Sequence, residues 1–434
     1  MIKPISKHFS ENSLVGKSIQ VLLLRVLGVF LFFFLTLFLT NYFSAELVGK
    51  YDFTRSLIMT LGIVSVFGMH QAIVYYSGYL VANNAFTYLK RVYYKMLFIT
   101  LVITTLLFLI VIFISDDSIN TLFDKNVANL VNKTVLALIF YGVTILNIDV
   151  FRAINKIYLS ELFRNVIRYI PFIIAVVLLH LINNYHLLVD VFLLNFVFLA
   201  VVSSVYLLIY FFRQNDSCVE LDISYKKIIK RSGPMAMSAT AYILMQSVDI
   251  ILISKFLNFD MVAFYSVAIK LTTMISLVLS SVNAVHAPKI AEFFSVYDFN
   301  RLENTIKKAT RLIFVLTFPA IIVLCILSGF ILNLFGEEYI VAQYALYILI
   351  IGQSINALCG SVGVYMNMTG KQNMFQKILL VALILNILLN WYLIPIYGIN
   401  GAAVATSFSM IFWNIITVVY IYRKDKIRTF LTLK

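Results

Sequence analysis

The 434 residues are 62% hydrophobic and only 12% charged, with a mean hydropathy of +0.94. A soluble domain averages about 45–50% apolar and about 25% charged residues, so a soluble globular protein is excluded. The net charge of +14 invites a nucleic-acid reading, but its distribution along the chain assigns it otherwise.

Apolar runs long enough to cross a bilayer predict an all-α, polytopic membrane protein with twelve spans. They lie near 19–40, 52–80, 92–114, 134–156, 157–182, 187–212, 235–257, 262–287, 312–334, 341–366, 374–394 and 401–422. The first run is too long for the apolar part of a cleavable leader, and polar, basic residues precede it. Within 134–182 and 374–422 the paired spans are nearly continuous, so their turns are weakly marked.

The basic residues test this count. With the N-terminus in the cytoplasm, 25 Lys and Arg fall on the inner segments, from Lys3, Lys7 and Lys17 to Arg423, Lys424, Lys426, Arg428 and Lys434. Four fall outside: Lys50, Lys125, Lys133 and Lys255. A wrong count scrambles this alternation, so both termini are expected to be cytoplasmic. The basic excess is then topology, with attraction to anionic headgroups as a by-product.

The longest linkers, 213–234 and 288–311, are cytoplasmic. The first divides the chain into an N-terminal six-helix lobe (1–212) and a C-terminal six-helix lobe with a short tail (235–434). A faint echo supports duplication: Val48, Tyr51 and Leu57 match Val262, Tyr265 and Leu271 at the same spacing. Parallel halves of this kind build alternating-access transporters around a central cavity.

Enzyme chemistry finds no home. The longest outer segment, 115–133, is too short for a catalytic domain, and no nucleophile elbow or paired-ligand spacing occurs. Cys218, Cys325 and Cys359 are widely spaced and the five histidines are scattered, so no metal, cofactor or disulfide framework is expected. No Gly-rich re-entrant loop suggests a channel filter.

Charges inside spans are costly and mark function by default. Arg25, Asp149, Glu161, Arg164 and Arg168 gather in the inner part of the N-terminal half. Glu161, Arg164 and Arg168 are spaced i, i+3, i+7 and so share one helical face, which predicts a basic pocket suited to phosphate. Pro171 follows Arg168 by one turn. The bland alternative is local pairing, Glu161 with Arg164 and Asp149 with Arg152, and snorkelling of Arg25. Toward the outside, Asp52 and Arg55 form an i, i+3 pair, while Asp249 and Lys270 reach similar depths and can pair across helices. Any of these carboxylates can instead carry a coupling ion. Gly398 with Ala402, and Gly401 with Ala405, predict close helix packing, and Tyr75, Tyr76, Tyr79, Tyr93 and Tyr94 read as an interfacial belt.

The run Asn386 to Asn390, then Leu393-Ile-Pro395 and Gly398-Ile-Asn-Gly401-Ala-Ala-Val-Ala-Thr406, resembles the last two helices of polysaccharide export proteins. Gly49-Lys-Tyr51, Asp249, Pro288 and Thr369-Gly370-Lys371 add to the likeness, which covers about residues 15–425. The chain thus resembles the O-antigen-type lipid-linked oligosaccharide flippases of the multidrug/oligosaccharidyl-lipid/polysaccharide exporter superfamily. The resemblance implies a V-shaped cavity between two lobes. It also implies movement of an undecaprenyl-diphosphate-linked repeat unit from the inner to the outer leaflet of a bacterial inner membrane. Substrate contacts are then expected at Arg25, Arg55, Arg164, Arg168 and Lys270. Ion coupling (H+ or Na+) or charge balance is expected at Asp52, Asp149, Glu161 and Asp249, and a polysaccharide polymerase is an expected partner. Twelve spans depart from the fourteen of peptidoglycan-precursor members and disfavour that cargo. The nearest rival is a multidrug exporter of the same superfamily, with a membrane saccharide polymerase behind it.

Overall fold

The computed structural model describes residues 11–82, 85–123, 125–213, 223–295 and 297–431. Lys3, Lys7, Cys218, Lys434 and the side chain of Tyr79 lie outside the described residues. Among the described residues all regular structure is helical, as expected for backbone that must satisfy its own polar groups in lipid. The first helices are α1 (Glu11–Tyr42), α2 (Ala45–Val66), α3 (Met69–Ala82), α4 (Leu89–Ile112), α5 (Asp116–Phe123) and α6 (Ala128–Ala153). Then come α7 (Ile157–Leu162), α8 (Ile170–Leu181), α9 (Leu188–Phe212), α10 (Tyr225–Phe256) and α11 (Phe259–Ser295). The chain ends with α12 (Phe299–Ile326), α13 (Ser328–Asn333), α14 (Gln343–Cys359), α15 (Val362–Met368) and α16 (Gln372–Asp425).

By length and composition nine helices of the described residues can cross a membrane, or ten when α2 and α3 count as one bent span. The expected span 52–80 is thus broken. Phe67 and Gly68 have φ of 46° and 70°, and the helices on either side diverge by 45°. A Cβ on Gly68 would lie 2.5 Å from the Ser232 carbonyl oxygen and 2.7 Å from Ala236 N, so only glycine allows this approach to α10. The expected spans 374–394 and 401–422 both lie on α16. As a straight rod its 54 residues would run about 80 Å, far beyond a bilayer of about 30 Å. Gly398 leaves the helical conformation (φ 58°, ψ −138°), and a Cβ on Gly401 would lie 2.3 Å from the Leu393 carbonyl oxygen. The chain therefore folds back there, giving arms 372–397 and 399–425. The expected seventh span lies on α10, which is not among the nine.

The chain divides into two compact units. Unit 1 holds the described residues of Met1–Tyr42, Leu61–Ser115 and Ala128–Ala239, and unit 2 those of Phe43–Thr60, Asp116–Val127 and Thr240–Lys434. Two segments of the first half, the start of α2 and the short helix α5, therefore group with the second-half helices.

Unit 1 is organised around α6. Its Tyr141 packs on Phe196 of α9 with ring centroids 5.1 Å apart, and Gly62 gives the tyrosine room. Asn147 accepts from the Tyr93 hydroxyl at 2.8 Å and donates to Ser203 and Ser204 at 3.0 and 2.9 Å. This satisfied network ties α4, α6 and α9. Tyr93 and Tyr76 are therefore buried rather than part of a belt, while Tyr75 and Tyr94 stay exposed.

In unit 2, Gly49 lets α2 meet the backbone of Phe259, and Phe53 fits between the rings of Phe123 and Phe259 at 5.6 and 5.8 Å. Ala402 and Ala405 are fully buried. Nearby, Ser407 reaches the Ile348 carbonyl at 2.8 Å, and a Cβ on Gly352 would lie 2.9 Å from its hydroxyl, so small residues bring α14 and α16 together.

Candidate functional site

In unit 1 the expected basic cluster forms, with a different pairing. Pro171 has no N–H to give to the turn before it, and there the chain makes a π turn over Phe163–Ile167. The Glu161 carboxylate accepts a forked pair from Arg25, Nε to Oε2 and Nη2 to Oε1, both at 2.9 Å. It also accepts from Asn165 Nδ2 at 3.0 Å and from Arg152 Nη2 at 3.5 Å. Asp149 accepts from Arg164 Nη2 at 2.7 Å, with Arg152 Nη1 3.9 Å away. Gly28, one turn along α1 from Arg25, makes the fork possible: a Cβ there would lie 2.6 Å from the Asn165 carbonyl oxygen. The local pairs Glu161–Arg164 and Asp149–Arg152 give way to Glu161–Arg25 and Asp149–Arg164, because the π turn swings Arg164 toward α6.

Three guanidiniums thus face two carboxylates, leaving one positive charge in excess. The carboxylates are buried and the cations are not: the Arg25 side chain is 49% exposed and that of Glu161 2%. Arg152 and Arg164 are likewise partly open. Arg164 Nε is buried with no hydrogen-bond partner among the described residues. So is Nδ1 of His70, on α3, which lies within electrostatic reach of Asp149 and Arg164. The cluster retains donor capacity for an added anion, and planar guanidinium edges take phosphate oxygens in pairs.

Arg168 does not join this cluster. The extra residue of a π turn is worth about 100° of rotation, which takes Arg168 off the i, i+3, i+7 stripe. Its guanidinium sits 5.7 Å over the Phe196 ring, and Asn195 donates to its backbone carbonyl at 3.0 Å. No carboxylate partner is seen for it among the described residues.

In unit 2 the Asp249–Lys270 pairing left open by the sequence is not made. Lys270 Nζ donates instead to Asp52 Oδ2 at 2.8 Å, and Arg55 Nε reaches Asp52 Oδ1 at 3.3 Å. The Lys270 and Asp52 side chains are 4% and 0% exposed, so this ion pair is closed to solvent in the structure. Asp249, fully buried, accepts from the Tyr265 hydroxyl at 3.0 Å, from Asn390 Nδ2 at 2.7 Å and from the Thr406 hydroxyl. Asn390 and Thr406 come from the two arms of α16; on a straight helix they would be about 24 Å apart. Among the described residues Asp249 meets neutral donors only. Close by, Oδ1 of Asn390 and both amide atoms of Asn386, Oδ1 and Nδ2, are buried with no hydrogen-bond partner among the described residues.

Sequence reasoning missed Arg152 as a bridge between both carboxylates, His70, and the ring of Tyr265, Asn390 and Thr406 about Asp249. The signal for the asparagines was present: amides four apart in an apolar run share a face that cannot meet lipid. Nothing in the sequence marked His70.

The fold defines the class first. Over 94% of this chain and 87% of the other, it superposes on the lipid II flippase MurJ in an inward closed conformation, with a TM-score of 0.73 and 17% identity. Over 99% and 100% it matches the multidrug transporter DinF-BH, with a TM-score of 0.70 and 16% identity. The chain therefore has the all-helical fold of these two structures. The chain belongs to the polysaccharide biosynthesis protein family, whose sequence model matches residues 56–344. A putative O-antigen transporter of Shigella flexneri is 25% identical over 43% of this chain and 45% of its own length. A probable low-salt glycan biosynthesis flippase of Haloferax volcanii is 29% identical over 37% and 34%. These matches span less than half of each relative.

Proposed function

We propose that the protein is a flippase, not an enzyme, for undecaprenyl-diphosphate-linked oligosaccharide repeat units. It carries them from the inner to the outer leaflet of a bacterial inner membrane for O-antigen or capsule assembly, by ion-coupled alternating access. Twelve spans, cytoplasmic termini and delivery to a polysaccharide polymerase belong to this reading. The observation that carries it is the unit 1 cluster. Three half-exposed guanidiniums over two buried carboxylates offer a diphosphate a net positive, bidentate landing site. Arg25, Arg152 and Arg164 contact the diphosphate, Asp149 and Glu161 hold them in place, and Arg168 and Arg55 provide further cationic contacts. Asp249, ringed by neutral donors and orphaned amide oxygens, holds the coupling H+ or Na+. The names of the relatives, an O-antigen transporter and a glycan flippase, support the cargo.

Translocation of a polyprenyl-diphosphate oligosaccharide into proteoliposomes, with and without an ion gradient, tests the reading. Gradient-driven transport that collapses in Arg25→Ala and Arg164→Ala, with partial activity in Arg25→Lys, is expected. Efflux of a cationic dye without any lipid transport would assign the protein to the multidrug exporters.

A further inference from the structure

Far from the arginines, at the opposite end of unit 1, four rings converge. Tyr42 closes α1, seventeen residues and therefore about 25 Å beyond Arg25. His180 ends α8, and Tyr185 stands in the short connection to α9. The His180 ring lies 4.6 Å from that of Tyr42, 5.9 Å from Phe38 and 5.9 Å from Tyr185. Phe38 and Tyr42 are 4.7 Å apart. Tyr42 remains 52% exposed.

The polar atoms of the patch are ordered by one turn. Asn183 adopts φ 55°, a left-handed conformation that asparagine tolerates, and this folds its amide back toward the rings. The Tyr185 hydroxyl lies 3.1 Å from Asn183 Oδ1 and 3.2 Å from His180 Nδ1. A phenol has one proton to give. Donated to the amide oxygen, it leaves the phenolic oxygen to accept from His180 Nδ1–H. That tautomer makes Nε2 an acceptor, while the exposed Asn183 amide keeps N–H donors.

We propose that Phe38, Tyr42, His180, Asn183 and Tyr185 form a saccharide-binding platform at this end of unit 1. The inference rests on the flippase reading and deepens it: the arginines take the diphosphate and the platform takes the glycan. A pyranose presents an apolar C–H face for ring stacking and a rim of hydroxyls that donate and accept. The patch answers both needs, with flat rings beside an imidazole acceptor and an amide donor. Rings that merely anchor a helix at an interface place one polar tip each in the headgroups. Here they lie against one another, and the His180, Asn183 and Tyr185 polar atoms are joined beside them. Trp391 of unit 2 is the contrast: Lys255 lies 4.7 Å over its face, so a cation already covers it.

The full chain in proteoliposomes is given polyprenyl diphosphates bearing one sugar or a several-sugar repeat unit. Tyr42→Ala with His180→Ala should lower transport of the longer glycan about tenfold, a loss on the scale of one ring contact. The one-sugar lipid should move at the wild-type rate, Tyr42→Phe should retain activity, and Trp391→Ala should not discriminate the two lipids. Equal loss with both lipids, or no loss, overturns the platform. A second readout needs no transport: saturation passed from protein ring protons to the C–H protons of a free neutral oligosaccharide, in detergent-solubilised protein. Its presence in wild type and loss in Tyr42→Ala support the platform. Its absence in wild type overturns it even where lipids are carried. Transfer without any lipid transport sinks the flippase reading and spares the platform.

Discussion

In unit 1 the carboxylates of Asp149 and Glu161 are buried while the guanidiniums facing them stand half in the open. In unit 2 both members of the Asp52–Lys270 pair are sealed, and Asp249 meets only hydroxyl and amide donors among the described residues. The first arrangement keeps a surplus of charge that an incoming anion can share. The second holds its ion pair closed, and among the described residues Asp249 meets only neutral hydroxyl and amide donors. Charged residues of the same types thus differ in how far solvent reaches them.

Removing a sealed charge should have the largest effect. Asp52→Asn takes the carboxylate from a Lys270 side chain that is 4% exposed, so a loss of about 3–5 kcal/mol is expected in thermal or denaturant unfolding. A near-neutral result would mean that unit 2 is wetter than its geometry. Next comes Asp249→Asn. One charge moved across 100 mV is worth about 2.3 kcal/mol, an accumulation ratio of about 50-fold, and this variant should lose that gradient dependence while still exchanging substrate. Retained coupling would shift the ion to another carboxylate. Glu161→Gln should cost less than Asp52→Asn, about 1–2 kcal/mol, because solvent screens the half-exposed Arg25. Transport should fall further than stability does, since the fork orienting Arg25 is lost; equal falls would make Glu161 a purely structural partner. Smallest is Arg168→Ala, about 0.5–1 kcal/mol of stability from its ring contact. A transport loss well beyond that would place Arg168 on the substrate path, and wild-type transport would remove it.

Much of this was written in local sequence. Apolar runs marked the spans, and Asp52 with Arg55 announced themselves by spacing alone. The basic cluster followed from charges placed where lipid forbids them. Its wiring did not, because it depends on a π turn that rotates Arg164 and Arg168 apart. Lys270 and Asp52 are 218 residues apart, and no helical periodicity links them. The Asp249 ring depends on the fold-back at Gly398, which falls between the expected spans 374–394 and 401–422; that Asn390 and Thr406 meet Asp249 across it is not legible in the sequence. Local rules report faces; pairings made by tertiary approach need coordinates.

The fold-back of α16 bears on how the chain is made. Asp249 emerges from the ribosome 141 and 157 residues ahead of the two side chains that later satisfy it from the arms of α16. At about 5–20 residues per second, the two α16 partners follow roughly 7–30 s after Asp249, whereas Tyr265, 16 residues on, follows within a few seconds. The contacts that complete the surroundings of Asp249 on α10 are therefore made only after the α16 fold-back has been synthesised. Chains interrupted before Asn390 should be the ones that membrane quality control destroys.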